Sequence, residues 1–233
     1  MNQKTGNFPG VTMEKHTGIW ELEPKKPVEI LDLPGIYSIY PKSIDEELVI
    51  NILGDPSHPD FPDMAIVVAD ASNLKRNLLL FSQVRDLGIP TVLALNMIDV
   101  AENEGYVINS IKLARELNVE VAEVNAKKGI GLNGLKLAVV KTLANRYASN
   151  DALPLPVSED VIQEVQAKFG EGEMYRSLLW LMEHDRMKMF TKQQRETFDA
   201  IQNKHHFSSK KYQSEETVKR YEQITEVVDR CVI

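Results

Sequence analysis

The residues best placed to do chemistry stand where apolar runs stop. Thr91-Val92-Leu93-Ala94-Leu95 gives way to Asn96-Met97-Ile98-Asp99, an amide followed three residues later by a carboxylate. A strand that ends this way presents Asn96 and Asp99 at its carboxyl edge, where open α/β sheets bind ligands. A carboxylate there can accept two hydrogen bonds from the N1–H and exocyclic amine of guanine, while the amide donates to the base and ties neighbouring loops together. Adenine would leave Asp99 unpaired, and sites of that design discriminate by roughly ten-thousandfold. Asn and Asp also commonly start a plain turn after a strand, and on this stretch alone both readings stand.

Other stretches end in the same manner. Val28 to Asp32 runs into Asp32-Leu33-Pro34-Gly35. An Asp at a strand end before a Pro-Gly turn can hold a hydrated Mg²⁺ while the glycine amide turns toward a terminal phosphate; an ordinary turn fits equally well. Val119 to Val124 ends in Asn125-Ala126-Lys127-Lys128-Gly129, and Asn7-Phe8-Pro9-Gly10-Val11-Thr12 has the composition of an active-site loop.

The elements that must position these residues alternate. Glu14 to Glu23 and Val28 to Asp32 read as a hairpin around Pro24-Lys25-Lys26-Pro27. Ser43-Ile44-Asp45-Glu46 is a capping box for a helix through Leu53. Ala65 to Ala69 is a buried-type strand ending at Asp70, followed by a helix from Leu74 to Leu87 that Gly88 and Pro90 stop. Helices are expected around Ser110 to Leu117 and from Leu132 to Ala148. This alternation calls for a mostly parallel, doubly wound sheet, with Asp32, Asn96 and Asn125 on one edge of it, where a nucleotide would lie across all three.

Taken together, Asn7 to Thr12, Asp32-Leu33-Pro34-Gly35-Ile36-Tyr37-Ser38, Asp70-Ala71-Ser72-Asn73-Leu74-Lys75-Arg76-Asn77 and Asn96-Met97-Ile98-Asp99 resemble the cytosolic G domain of the ferrous iron transport protein B (FeoB) family. The resemblance covers residues 1 to 150; residues 151 to 233 resemble that family's helical domain. It implies an α/β fold with a Ras-like P-loop GTPase sheet, followed by a small all-α domain. It implies GTP or GDP with Mg²⁺ as ligands: Thr12 as a Mg²⁺ ligand of switch I, Asp32 holding the ion through water, and Gly35 at the phosphate. Asn96 and Asp99 would read the guanine, with Met97 where other small GTPases have lysine. Asn125, Ala126 and Lys127 would form the loop whose Ala amide meets the guanine carbonyl. No residue is assigned as a catalytic base, because Ile36 follows Gly35 where Ras-like enzymes place a water-orienting glutamine, so hydrolysis is expected to be slow.

One part of a GTPase is missing from the sequence. No Gly-rich loop ending in Gly-Lys-Ser/Thr, the motif whose amides cradle the phosphates, occurs in the 233 residues. In the family it precedes switch I, together with a first strand that lies between the strands ending at Asp32 and Asp70. The chain is therefore expected to be incomplete, to bind GTP poorly on its own, and to be inactive without that loop.

Composition is compatible. With 43% hydrophobic residues the chain can bury one good core and a small second one. The net charge of -7 and the pI near 5.4 argue against a nucleic-acid partner. The single cysteine, Cys231, excludes an intrachain disulfide. No apolar run reaches the roughly 18 residues that span a bilayer. The resemblance places the module on the cytoplasmic side of the inner membrane, partnered by the iron-permeation domain of the same full-length protein, with self-association left open. Two alternatives remain: a nucleotide-free interaction module, and a soluble GTPase of ribosome or RNA assembly.

Beyond a linker at Asp151 to Pro156 the pattern is helical: Ser158 to Phe169, Glu173 to Met187, a capping box at Thr191 and Gln194, and a last helix from Ser214 with the stripe Val218, Tyr221, Ile224, Val228 and Cys231. His184 and His205-His206 are not expected to bind iron. The first is flanked by residues that point to other faces of its helix, and the pair falls in a polar stretch, Gln202 to Lys211, expected to be a solvated loop.

Overall fold

The structure is a computed structural model and describes residues 16–23, 26–145, 157–170 and 172–233. The Thr12 loop and the 151–156 linker lie outside the described residues. The chain divides into two units, Met1–Pro34 and Gly35–Ile233, each described by itself.

The first unit holds β1 (His16–Glu23) and β2 (Lys26–Asp32), an antiparallel pair in which His16 faces Asp32 and Ile19 faces Glu29, with a register shift between Glu21 and Glu23. The expected hairpin is present. Its strands are largely exposed or half-buried, with Ile19 at 73% exposure.

In the second unit β3 (Ala65–Asp70), β4 (Thr91–Asn96) and β5 (Val121–Glu123) form a parallel sheet with β4 in the middle. Thr91 to Leu95 are all buried, as a strand covered on both faces requires. The in-register pairing Ala65–Thr91 through Asp70–Asn96 puts Asp70 beside Asn96. The expected single edge is therefore divided among the described residues: β2 is hydrogen-bonded to β1, β3 to β4, and β2 and β3 are not paired. Among the described residues β3 is thus an edge strand, paired on its β4 side alone. Val68 on β3 is 59% exposed although its sequence reads as buried.

Helices cover this sheet. In α1 (Ile44–Leu53) the Ser43 side chain accepts from the Glu46 amide, but the Glu46 carboxylate reaches the Lys42 amide rather than closing the capping box on Ser43. α2 (Leu74–Asp86) packs on β3 and β4 and follows a 3-10 turn, Ala71–Asn73. Asp70 caps that turn, accepting from the Ser72 amide at 2.9 Å and its hydroxyl at 2.8 Å. Burial raises the Asp70 pKa, but the hydrogen bonds from Ser72 and Asn73 outweigh it and hold the carboxyl below its ordinary value. α3 (Ile98–Asn103) was not anticipated; α4 (Ser110–Leu117) and α5 (Leu132–Asn145) were.

The remaining helices are α6 (Glu159–Phe169), α7 (Met174–Glu183), α8 (Lys192–Lys204) and α9 (Ser209–Cys231). The Thr191–Gln194 capping box forms in full. An aromatic cluster of Phe169, Trp180, Phe190 and Phe198 fills the space between α6, α7 and α8. No helix among the described residues is long and apolar enough to cross a membrane.

The last helix differs from expectation. It starts at Ser209, and its buried face is Glu216, Arg220, Ile224, Val228 and Cys231, whereas Val218 is 54% exposed. This face crosses α2, α4 and α7. Arg220 is fully buried with Asp86 and Glu216 and lies over the Tyr175 ring at 4.6 Å. Burial alone would favour losing its proton, but the adjoining Tyr175, Glu216 and Asp86 more than reverse that. Beyond α9 the chain pairs with the segment before α4: the Val107 and Ile233 backbones exchange hydrogen bonds of 2.9 and 3.0 Å, and the Asn109 amide donates to Cys231 at 2.8 Å.

Candidate functional site

The stretch Asn96 to Asp99 is a turn from strand into helix. At Met97 the backbone enters the left-handed region, with φ 61° and ψ 33°. For a residue with a Cβ that conformation costs about 1–2 kcal/mol. The consequence is that β4 stops at Asn96 and α3 starts at Ile98, so that Asp99 stands in the first turn of α3, where a helix favours negative charge.

The second half of the site comes from the loop after β5. Val124 extends the ladder by donating to Leu95 at 2.8 Å, and Asn125 and Ile130 then exchange backbone hydrogen bonds of 3.0 and 3.1 Å, closing a tight loop. Gly131, at φ +84°, makes the closure possible: a Cβ there would fall 2.0 Å from the Glu123 carbonyl oxygen.

Side chains stitch the halves together. The Asn96 Oδ1 accepts from the Ala126 amide at 3.1 Å. The Asn125 Nδ2 donates to Asp99 Oδ2 at 3.0 Å, while its Oδ1 accepts from the Lys128 amide at 3.1 Å. The Lys128 ammonium donates to the same Asp99 Oδ2, also at 3.0 Å. Lys128 first, then Asn125, holds the Asp99 carboxyl below its ordinary pKa. What results is an ionised, half-exposed carboxylate beside an amide and a backbone turn, fixed by residues far apart in sequence. Such a carboxylate is a pure acceptor, suited to a planar ligand edge with two adjacent donors.

Of the anticipated residues, Asn96, Asp99, Asn125 and Ala126 come together here. Lys127 is exposed on the same loop, and Met97, 40% exposed, acts through its backbone turn. Asp32 is exposed at the end of β2 in the first unit, and Gly35 opens the second. Thr12 lies outside the described residues. The unanticipated member is Lys128, whose only sequence signal was a doubled lysine ahead of Gly129.

Comparison with known proteins fits this geometry. Residues 1–139 match the family model described as ferrous iron transport protein B. The chain belongs to the FeoB family. The Fe(2+) transporter FeoB of Legionella pneumophila (strain Paris) is 38% identical over 164 residues, which are 69% of this chain and 20% of the relative. The chain thus spans about one fifth of the length of the curated relatives it matches. Among solved structures, the cytosolic domain of L. pneumophila FeoB aligns with TM-score 0.76 at 30% identity, over 100% of this chain and 90% of that one. A GDP-bound point mutant of the S. thermophilus FeoB G-domain aligns with TM-score 0.68 at 29% identity, over 99% and 90%. The expected fold class, an α/β P-loop GTPase sheet with appended helices, is the one these FeoB structures share.

A second region of this FeoB-family chain was legible only in part. After Gly35, the Ser38 hydroxyl and the Ile39 amide both donate to Gln83 Oε1 on α2, at 3.1 and 2.9 Å, and the Arg76 guanidinium lies 3.6 Å over the Tyr37 ring. The segment that follows Gly35 is thereby held against α2. Two of the histidines have structural partners: buried His184 bonds to the Leu181 carbonyl and Asp199 and stacks on Phe198, and His205 pairs with Glu164 at 2.8 Å. The stretch Gln202 to Lys211 is not one loop, because α8 runs to Lys204 and α9 starts at Ser209.

Proposed function

We propose that this chain is the guanine-nucleotide-binding, slowly GTP-hydrolysing regulatory module of a membrane ferrous iron transporter. The observation that carries the base specificity is the ionised Asp99 carboxylate, held by Asn125 and Lys128 beside the Asn96–Ala126 tie. Guanine fits it with its two adjacent donors, and adenine does not. The curated relatives are Fe(2+) transporters, and one aligned G domain is GDP-bound, which supports the reading.

Residue roles follow the chemistry. Asn96, Asp99, Asn125 and Ala126 would read and brace the base, with Met97 shaping the turn and Lys127 alongside. Gly35 would meet the terminal phosphate. The exposed Asp32 carboxylate is a hard oxygen donor at a strand end, suited to a hydrated Mg²⁺, and Thr12 would join it; when bound, the ion would neutralise phosphate charge. Residues 1–150 would form the G domain and 151–233 the helical domain that joins it to the permeation domain at the cytoplasmic face.

The test is titration with a fluorescent GDP analogue, competed with ADP. These 233 residues contain no phosphate loop, so weak affinity that is nonetheless selective for guanine is expected. Fusing a Gly-x-x-x-x-Gly-Lys-Ser strand-loop-helix ahead of Met1 is expected to strengthen it. Equal competition by ADP and GDP would sink the base-reading role and favour an interaction module.

A further inference from the structure

Asp99 has two carboxylate oxygens, and the donors from the loop after β5 converge on one of them. Asn125 Nδ2 and Lys128 Nζ both lie 3.0 Å from Oδ2. A guanine edge needs both oxygens, one for N1–H and one for the exocyclic amine. Asn125 cannot withdraw without cost, because its other amide atom accepts from the Lys128 backbone and its main chain closes the loop on Ile130. The Lys128 side chain can. Its backbone is fixed by that same hydrogen bond, its side chain is 60% exposed, and its long stem can swing to water without moving the loop.

We propose that Lys128 sets the affinity of this site: it is a latch that occupies the Asp99 carboxylate while the base is away and must release it before guanine can take both oxygens. This rests on the reading of Asp99 as the base acceptor. The latch has two effects. It keeps the carboxylate charge-paired in the ligand-free protein, while the Asn125 bond to Asp99 holds the loop to α3 whether or not the latch is closed. It also subtracts from guanine affinity the free energy of an exposed ion pair, which is small enough for the base to displace. Because that pair faces solvent, salt screens it and lessens the competition.

Guanosine is the probe, since it carries no phosphate and reports the base site alone. Its binding to the 233-residue chain is followed by nuclear magnetic resonance at low and high salt, for the wild type and for Lys128→Met, Lys128→Arg and Asp99→Asn. Lys128→Met is expected to bind guanosine about two- to fivefold more tightly at low salt, the scale of an exposed ion pair, with the gap closing at high salt. Lys128→Arg, which can hold the carboxylate again, is expected to return to wild-type behaviour. If Lys128→Met binds equally or more weakly while Asp99→Asn abolishes binding, the latch is refuted and the base-reading role survives. If guanosine binds no variant and not the wild type, the base-reading role falls and the latch falls with it.

Discussion

Arg220 on α9 places its Nη1 2.7 Å from Asp86 Oδ2 at the end of α2, with both side chains 1% exposed. The contact is a charge pair rather than an aligned hydrogen bond, and Glu216 one turn earlier bonds the Arg220 Nε. Tyr175 lies beneath the guanidinium, and its hydroxyl sits 3.2 Å from that of Tyr40. The C-terminal helix is thus anchored to the sheet-covering helix by buried charge, where apolar packing would have been simpler. Removing one member leaves the others charged and dry. Arg220→Ala is expected to destabilise the chain by about 3–5 kcal/mol, read as a lower urea midpoint. The triple change Arg220→Met, Asp86→Leu, Glu216→Leu is expected to recover most of that loss; failure to recover would show that packing, not uncompensated charge, is responsible.

Gln83 holds the segment after Gly35. Gln83→Leu removes the acceptor of the buried Ile39 amide and is expected to cost about 1–3 kcal/mol. Hydrogen exchange at Ile39 should quicken while the amides of β4 stay protected. Unchanged exchange at Ile39 would show that Gln83 does not secure this segment.

Glu164 on α6 accepts from Lys204 at 2.7 Å and from His205 at 2.8 Å, and these contacts pull its pKa from 4.5 to about 2. A carboxyl depressed in the fold contributes stability that is complete above its unfolded value and is lost as pH falls through the folded value. The contribution should therefore fade between pH 4.5 and about 2. Glu164→Gln is expected to flatten the stability profile across that window, as monitored by urea unfolding at each pH; an unchanged slope there would show that these contacts do not stabilise the fold.

Asp99→Asn replaces a pure acceptor with a group that is half donor. Losing hydrogen bonds to a charged acceptor predicts about a ten- to hundredfold loss of guanine-nucleotide affinity, with the ADP competition curve unmoved. A parallel loss for both nucleotides in the fluorescent titration would mean that the loop, not the base contact, had been damaged.

Much of this architecture is local and could be read directly. β4 is a continuous apolar run, α2 is bracketed by the Asp70 turn and Gly88, and the Thr191 box announces α8. The family motifs at Asp32, Asp70 and Asn96 are contiguous words of sequence and carried the family assignment. The miss at α3 has a local cause as well: a left-handed Met97 is one conformation in a single residue, and nothing in the side-chain pattern demands it.

The sequence by itself determined most of the elements, including the end of β4 at Asn96, and placed Asp99 and Asn125 in the turns that follow β4 and β5. Periodicity and capping depend on neighbours a few residues apart, so they are written in the order of the chain. Only the tertiary structure decided that Lys128 rather than Lys127 grips Asp99, that Gln83 secures Ile39, and that α9 buries Glu216 and Arg220 while Val218 faces water. Each is a long-range pairing between polar groups. A charged residue reads as surface until the fold supplies the opposite charge that makes its burial tolerable, and that partner lies elsewhere in the chain.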